Sequence, residues 1–301
     1  MLKKRYFSAE FLTLVYSLVT IVYMMLFFSR VDHPALFFGI RLGAIASISF
    51  LAIASERYPS ELLKNIRQFL PFILLGYWYS ETFFFSEMFT LNKDEFFCGL
   101  DQQLTGCQPS ILFSQLFPQA WFSELMYFGY FSHYLFMFGI PLWFWFKHPQ
   151  LFDRVVFIMV CTMFLYYSVY DLLPVAGPQF YFKGADAMVP KGYVFCWLVH
   201  FIQWIGEYPT GAFPSSHVGM TIVVLILTCR YDRRLFWCIL PVACLLICST
   251  VYIKAHYFVD VLGGILSAIL LYGVSGALFD LLAERKILLI SFSKKDSGKE
   301  Y

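Results

Sequence analysis

Charge is scarce in this sequence, and so are the patterns that hold metals. Charged residues make up 14% of the 301, too few to cover a water-soluble domain of this length. Eight cysteines are present, yet none stands in a CxxC pair or at zinc-finger spacing, and there is neither an HExxH motif nor a carboxylate cluster. Dithiol redox chemistry and structural zinc therefore lack their usual ligands, and no cofactor is expected. Internal repeats and low-complexity segments are absent, which argues against a solenoid or a long linker. A formal net charge of +2 gives neither the basic excess of a nucleic-acid binder nor an acidic tail.

Apolar residues dominate instead. The chain is 59% hydrophobic with 36 Phe and 20 Tyr, and its mean hydropathy is +0.66. Apolar runs long enough to cross a hydrocarbon core fall at 10–29, 36–54, 68–87, 123–146, 155–173, 214–229, 235–253 and 257–281. The expectation is an all-α polytopic membrane protein of about eight transmembrane helices with a six-helix core. Three regions follow: two N-terminal spans over 1–66, a membrane core over 67–283 and a basic tail over 284–301. Lys3, Lys4 and Arg5 precede the first run as in a signal peptide, but no small-residue cleavage site follows, so this segment reads as a retained span.

Basic residues set the expected topology. Lys3, Lys4 and Arg5; Arg57, Lys64 and Arg67; Lys147 and Arg154; Arg230, Arg233 and Arg234; and Arg285, Lys286, Lys294, Lys295 and Lys299 all fall on one face of an eight-span chain. By the positive-inside rule that face is cytoplasmic, so both termini are inside and the segments 30–35, 88–122, 174–213 and 254–256 are outside. A bacterial inner membrane or its equivalent is implied. Cys161, Cys229, Cys238, Cys244 and Cys248 lie in apolar stretches and read as packing residues. Cys98 and Cys107 share an outer loop, where both a disulfide and two free thiols are open readings. In that loop an acidic first half (Asp94, Glu95, Asp101) precedes Pro109-Ser-Ile-Leu-Phe-Ser-Gln-Leu-Phe-Pro118, too short to span and expected to lie along the interface as an amphipathic helix.

Chemistry-bearing residues gather in the outer loops of the C-terminal half. Gly211-Ala-Phe-Pro-Ser-Ser-His217 opens the sixth span, and Ser249-Thr-Val-Tyr-Ile-Lys-Ala-His256-Tyr-Phe-Val-Asp260 joins the seventh to the eighth. His256 and Asp260 are spaced to share a helix face, so the carboxylate can hold one ring nitrogen and leave the other free as a nucleophile. Pro214 suits a first helical turn, and Ser215 and Ser216 supply donors at a helix N-terminus that favours a phosphate. His217 stands beside that anion as a proton donor. The plainer readings are a Ser cap on the sixth helix, a helix-stabilising His–Asp pair, and a His/Asp metal site, which no further ligand pattern supports.

Phe213-Pro-Ser-Ser-His217 and Ser249-x6-His256-x3-Asp260 resemble the second and third signatures of the type 2 phosphatidic acid phosphatase superfamily, which includes lipid phosphate phosphatases and vanadium haloperoxidases. The resemblance covers roughly the third to eighth spans. It implies a phosphohistidine at His256, orientation of that ring by Asp260, and a His217 that first protonates the leaving group and then activates the acceptor. Two departures stand out: Thr250 replaces the Arg that usually follows the Ser of the third signature, and 171–182 lacks the Lys and Arg-Pro of the first. With Tyr252 and His256-Tyr-Phe-Val-Asp260-x3-Gly263, the pattern is most similar to the inositol phosphorylceramide synthase branch, whose enzymes pass a phosphoinositol head group to ceramide.

Charge neutralisation then falls to Lys254, with Lys183 as second candidate and Lys191 behind them; interfacial snorkelling is the alternative for each. Gln179, in Gly177-Pro-Gln, and Gly211 join the phosphate-binding candidates. Glu81, Glu124, His133 and Asp171 are polar groups in or near spans, open to lining a head-group cavity or to bonding between helices. The expected partners are the bilayer, a lipid phosphoester, and a lipid alcohol or water as acceptor, with no nucleic acid. Head-group transfer leads; hydrolysis of a phosphatidic acid-like or polyprenyl phosphate monoester, and a non-catalytic lipid-binding or transport protein with a vestigial site, are the alternatives.

Overall fold

A computed structural model describes residues 6–31, 33–86, 91–185 and 188–296, with side chains described up to Glu284. Lys3, Lys4, Arg5 and Lys299 lie outside the described residues, and the side chains of Arg285, Lys286, Lys294 and Lys295 are likewise outside the description. Among the described residues the architecture is all-helical. Eight long helices match the expected runs: α1 (Ser8–Leu26), α2 (Pro34–Arg57), α3 (Glu61–Ser86), α6 (Ala120–Lys147), α7 (Pro149–Leu172), α10 (Ser216–Tyr231), α11 (Arg233–Tyr252) and α12 (Phe258–Asp296). Between them lie α4 (Asp94–Thr105), α5 (Pro109–Leu116), α8 (Pro178–Tyr181) and α9 (Val194–Gly206).

Five of the eight, α1, α2, α7, α11 and the Phe258–Glu284 portion of α12, are long and apolar enough to cross a membrane. The other three differ for visible reasons. The α3 helix carries Lys64, Arg67 and Glu81; α6 is dense in Tyr and Trp and carries Glu124 and His133; α10 is apolar but only 16 residues long. Helical backbone satisfies its own hydrogen bonds in lipid; Pro71, Pro141 and Pro241 stand inside α3, α6 and α11.

The most enclosed of these five helices is α7, with 78% of its most apolar stretch buried. It packs against α1, α3, α6, α10 and α12, and Tyr16 stacks on Phe164 with centroids 4.1 Å apart. Two buried ion pairs tie the N-terminal helices to α3. Glu10 receives Arg67 through two bonds of 2.8 and 2.7 Å, and Arg41 pairs with Glu81. Apolar lipid gives no drive for helices to separate from such pairs, and an uncompensated charge left behind would be costly.

One end of the bundle is closed by polar contacts between turns. Ser8 bonds Asp153 at 2.8 Å, His148 and Trp143 meet Asp232 at 3.2 and 3.0 Å, and Arg154 holds Asp280 at 2.5 Å. His217, His256 and α4 lie at the opposite end, reached by the C-terminal ends of α7 and α11 and the starts of α10 and α12. Cys98 and Cys107 are free thiols here. The 109–118 segment forms α5, with Ser110 and Ser114 buried and Leu112, Leu116 and Phe117 exposed.

Candidate active site

Three irregular segments, 173–177, 207–215 and 253–257, converge at this end. Gly177 (φ +97°) and Gly211 (φ +76°) take left-handed backbone that favours glycine; a Cβ on Gly177 would stand 2.6 Å from the carbonyl oxygen of Ala255. The close approach brings the first segment against the residue preceding His256. Lys254 also adopts a left-handed conformation (φ +67°), turning the chain sharply between α11 and α12.

His256 thus sits in the turn before α12 and not on the helix face that its spacing to Asp260 implied. Its Nδ1 lies 2.9 Å from the carbonyl oxygen of Ala212, while the nearer Asp260 oxygen is 3.6 Å away. A carbonyl can only accept, so this bond places the proton on Nδ1 and leaves the Nε2 lone pair free. Nε2 faces His217 Nδ1 at 3.4 Å. Burial pushes the His256 imidazolium pKa down to about 4, opposed by the bond to Ala212 and by the charge of Glu207, so the ring is neutral at physiological pH.

Asp260 has a second task. Its Oδ2 accepts the N–H of Tyr257 at 2.8 Å, capping the first turn of the helix on which it stands, while its own carbonyl receives the N–H of Ser215 at 3.1 Å. The two signature segments are thereby joined through backbone. Ser215 is the N-cap of α10, its hydroxyl accepting the N–H of Val218 at 3.3 Å. Pro214 consequently precedes the cap and does not occupy the first turn. The N–H of Ser216 is donated to the Tyr170 hydroxyl at 3.1 Å. His217 follows on α10, flanked by Tyr130, stacked at 4.6 Å, and by His133 at 4.3 Å.

Of the cation candidates, Lys254 is fully buried, and its ammonium donates to Ser114 Oγ of α5 at 2.7 Å. Lys183 and Lys191 are exposed. Gln179 is tied to the nucleophile loop through backbone, its N–H donating to the Lys254 carbonyl at 2.9 Å, while its side chain joins Glu207 and Gln203. Of the four polar span residues, only His133 reaches the histidine cavity. Glu124 instead accepts the N–H groups of Tyr193, Phe195 and Cys196 at the start of α9, Glu81 pairs with Arg41, and Asp171 is buried at the end of α7.

Two cavities open on His217. One of about 140 Å³ is largely apolar, lined by Phe72, Leu75, Met137 and Met163, with His133 and Ser216 at its polar end. The other, about 470 Å³, is lined by Tyr79, Tyr130, Tyr134, Gln203 and Glu207. No lysine or arginine is among the described residues lining either.

Two functional contacts escaped the sequence reading. Asp94 and Asp101, two helical turns apart on α4 and both buried, hold the convergent loops. Asp94 accepts the N–H groups of Ala176 and Gly177 at 2.7 and 2.8 Å and the Tyr257 hydroxyl at 2.9 Å. Asp101 accepts the N–H groups of Phe258 and Val259, each at 2.9 Å. Burial raises the Asp101 carboxyl pKa, and those two donors pull it back. A visible signal was the i, i+3, i+7 spacing of Asp94, Phe97 and Asp101, which puts two acids on one buried face while Glu95 points out.

No curated protein and no solved structure matches the chain. The sequence profile described as the PAP2 superfamily matches residues 96–274, a stretch that holds both histidines, Asp260, Lys254 and Gln179, so this chain belongs to the PAP2 superfamily of lipid phosphoester phosphatases and phosphotransferases.

Proposed function

We propose that the protein transfers a phospho-head group from a phosphodiester lipid to a lipid alcohol through a phosphohistidine at His256, in the manner of the inositol phosphorylceramide synthase branch. The observation that carries the reading is the bond from His256 Nδ1 to the Ala212 carbonyl, which leaves Nε2 unprotonated and aimed at His217. In the first step Nε2 attacks phosphorus and the bond from phosphorus to the donor lipid's alcohol oxygen breaks, with His217 giving that oxygen its proton. In the second, His217 takes the proton of the acceptor hydroxyl, whose oxygen attacks phosphorus as the P–N bond breaks. Asp260 holds the loop and faces the ring cation that forms.

Ser215 and Ser216 at the start of α10, with Gly211 before them, are assigned to the phosphate side of the site, and the positive charge is assigned to Lys254, two residues from His256, ahead of Lys183. A phosphodiester carries one negative charge and needs fewer cations than a monoester, which fits cavities lined without lysine or arginine. Catalysis is assigned to 67–283, with α1 and α2 as an addition. The active site is placed on the extracytoplasmic face and both termini in the cytoplasm, on the distribution of basic residues.

A competition assay tests transfer against hydrolysis. Purified protein receives phosphatidic acid and phosphatidylinositol together with ceramide. Head-group transfer to the alcohol is expected; fast release of inorganic phosphate from phosphatidic acid without transfer would overturn it in favour of a lipid phosphatase.

A further inference from the structure

We infer that the larger cavity beside His217 is the head-group subsite, and that Glu207, braced by Gln179 and Gln203, selects a neutral head group bearing hydroxyls. This rests on the transfer reading above and gives that site its selectivity. The cavity is about 470 Å³ and includes Gln203, Glu207 and His217 in its wall, a volume within the range of small-ligand sites. Behind it, Gln179 Nε2 donates to Glu207 Oε1 at 2.7 Å, and Gln203 Nε2 donates to Gln179 Oε1 at 3.3 Å. The chain of amide and carboxylate offers donors and acceptors in alternation. Hydroxyls, which both donate and accept, match such a row; a phosphate monoester, acceptor only, meets a carboxylate and no lysine or arginine among the lining residues.

The same row is coupled to the reacting groups. Gln179 donates its backbone N–H to the Lys254 carbonyl, two residues before His256, and the charge of Glu207 is felt at the His256 ring. Because Glu207 and His217 line one cavity and His217 Nδ1 is 3.4 Å from His256 Nε2, a head group seated against Glu207 would bring its phosphate to the cavity side of the two histidines. The smaller cavity meets the larger at Gly76, Tyr79, Tyr134 and His217, and its Phe72, Leu75 and Met163 lining suits the start of an acyl chain. Three tyrosines in the larger cavity raise a competing chemistry, a quaternary ammonium held on aromatic faces. Tyr130, however, already presents its face to His217, and Glu207 is engaged with an amide donor.

Binding isolates this inference from turnover. In a His256→Ala background, the affinities of short-chain phosphatidylglycerol, phosphatidylinositol, phosphatidylcholine and phosphatidic acid are measured by equilibrium titration in detergent, with and without Glu207→Gln or, separately, Gln203→Ala. The polyol lipids should bind tighter than phosphatidic acid, and each second substitution should reduce that preference, about tenfold for Glu207→Gln, the worth of one charged hydrogen bond. Helical content by circular dichroism shows that each variant is folded. An unchanged preference in the folded Glu207→Gln variant overturns the subsite, and tighter binding of phosphatidylcholine than of the polyol lipids overturns the hydroxyl selectivity. Loss of transfer by the unsubstituted protein, with the binding preference intact, would instead strike the transfer reading alone.

Discussion

Asp101 reaches from α4 to the first turn of α12 and accepts the N–H of Val259 at 2.9 Å, 158 residues away in sequence. With the matching bond from Phe258 it supplies a buried carboxylate where the helix has free donors and a positive end. Asp101→Ala should lower stability by about 1–2 kcal/mol, the cost of a lost cap. It should also lower kcat at least tenfold with a smaller change in KM, because the His256 turn loosens. Asp101→Asn keeps one acceptor oxygen and should recover part of both. Unfolding midpoints together with steady-state kinetics check this; a stability loss with unaltered kcat would confine Asp101 to the scaffold.

Spans were legible because lipid demands long apolar helices: the runs beginning near residues 10, 36, 68, 123, 155, 214, 235 and 257 each became a helix, and five of these are long and apolar enough to cross a membrane. The histidines could be paired from their signatures alone. What could not be read is the partner of the His256 ring, since a backbone carbonyl such as that of Ala212 has no side-chain signature. Asp260 was expected as the main contact of the ring, yet it bonds the N–H of Tyr257, which depends on where α12 begins. Lys254 looked like a cation two residues from the nucleophile; its left-handed turn buries it against Ser114 of α5, a contact 140 residues apart that local pattern does not encode. The cap role of Ser215 was one of the readings open from sequence, and its hydroxyl does take the N–H of Val218.

Sidedness has a direct check. Lys191 and Arg234 are exposed and lie at opposite ends of the bundle. If basic residues face the cytoplasm, Lys191→Cys should react with a membrane-impermeant maleimide in intact cells and Arg234→Cys only after permeabilisation, each compared with the unsubstituted chain. The reverse pattern would place the histidines on the cytoplasmic face and draw substrate from the inner leaflet.

The lowered pKa of His256 makes stability depend on pH. At about 4 in the folded protein and about 6.5 in an unfolded chain, the unfolded state binds a proton between those values that the folded state does not. Stability should therefore fall as the pH drops through that window, by at most about 1.4 kcal/mol per pH unit from this group, and the contribution should be flat above about 6.5. His256→Asn removes the group. Unfolding midpoints at pH 7 and pH 5 should differ less in the variant than in the parent; equal differences would mean that other groups set the acid sensitivity.

His217 is assigned the proton of the leaving alcohol, and that role depends on how much the leaving group needs one. A lipid alkoxide is a poor leaving group near neutral pH and gains from protonation as its bond to phosphorus breaks; general acid catalysis of this kind is worth about 100- to 10,000-fold. A nitrophenolate leaves without a proton. His217→Ala should accordingly lose most of its kcat/KM on a phospholipid and far less on a nitrophenyl phosphodiester of similar acyl length, since kcat/KM reports the step that expels the leaving group, whereas His256→Ala should lose both, because without Nε2 no phosphoenzyme forms. Product analysis sharpens the comparison. The His217→Ala enzyme should still build a phosphoenzyme from the activated ester but should pass it to the acceptor slowly, since His217 also takes the acceptor's proton, so acid-labile phosphate should accumulate on the protein. Equal losses on the two substrates, with no accumulation, would remove His217 from proton transfer and leave it a packing partner of Tyr130 and His133.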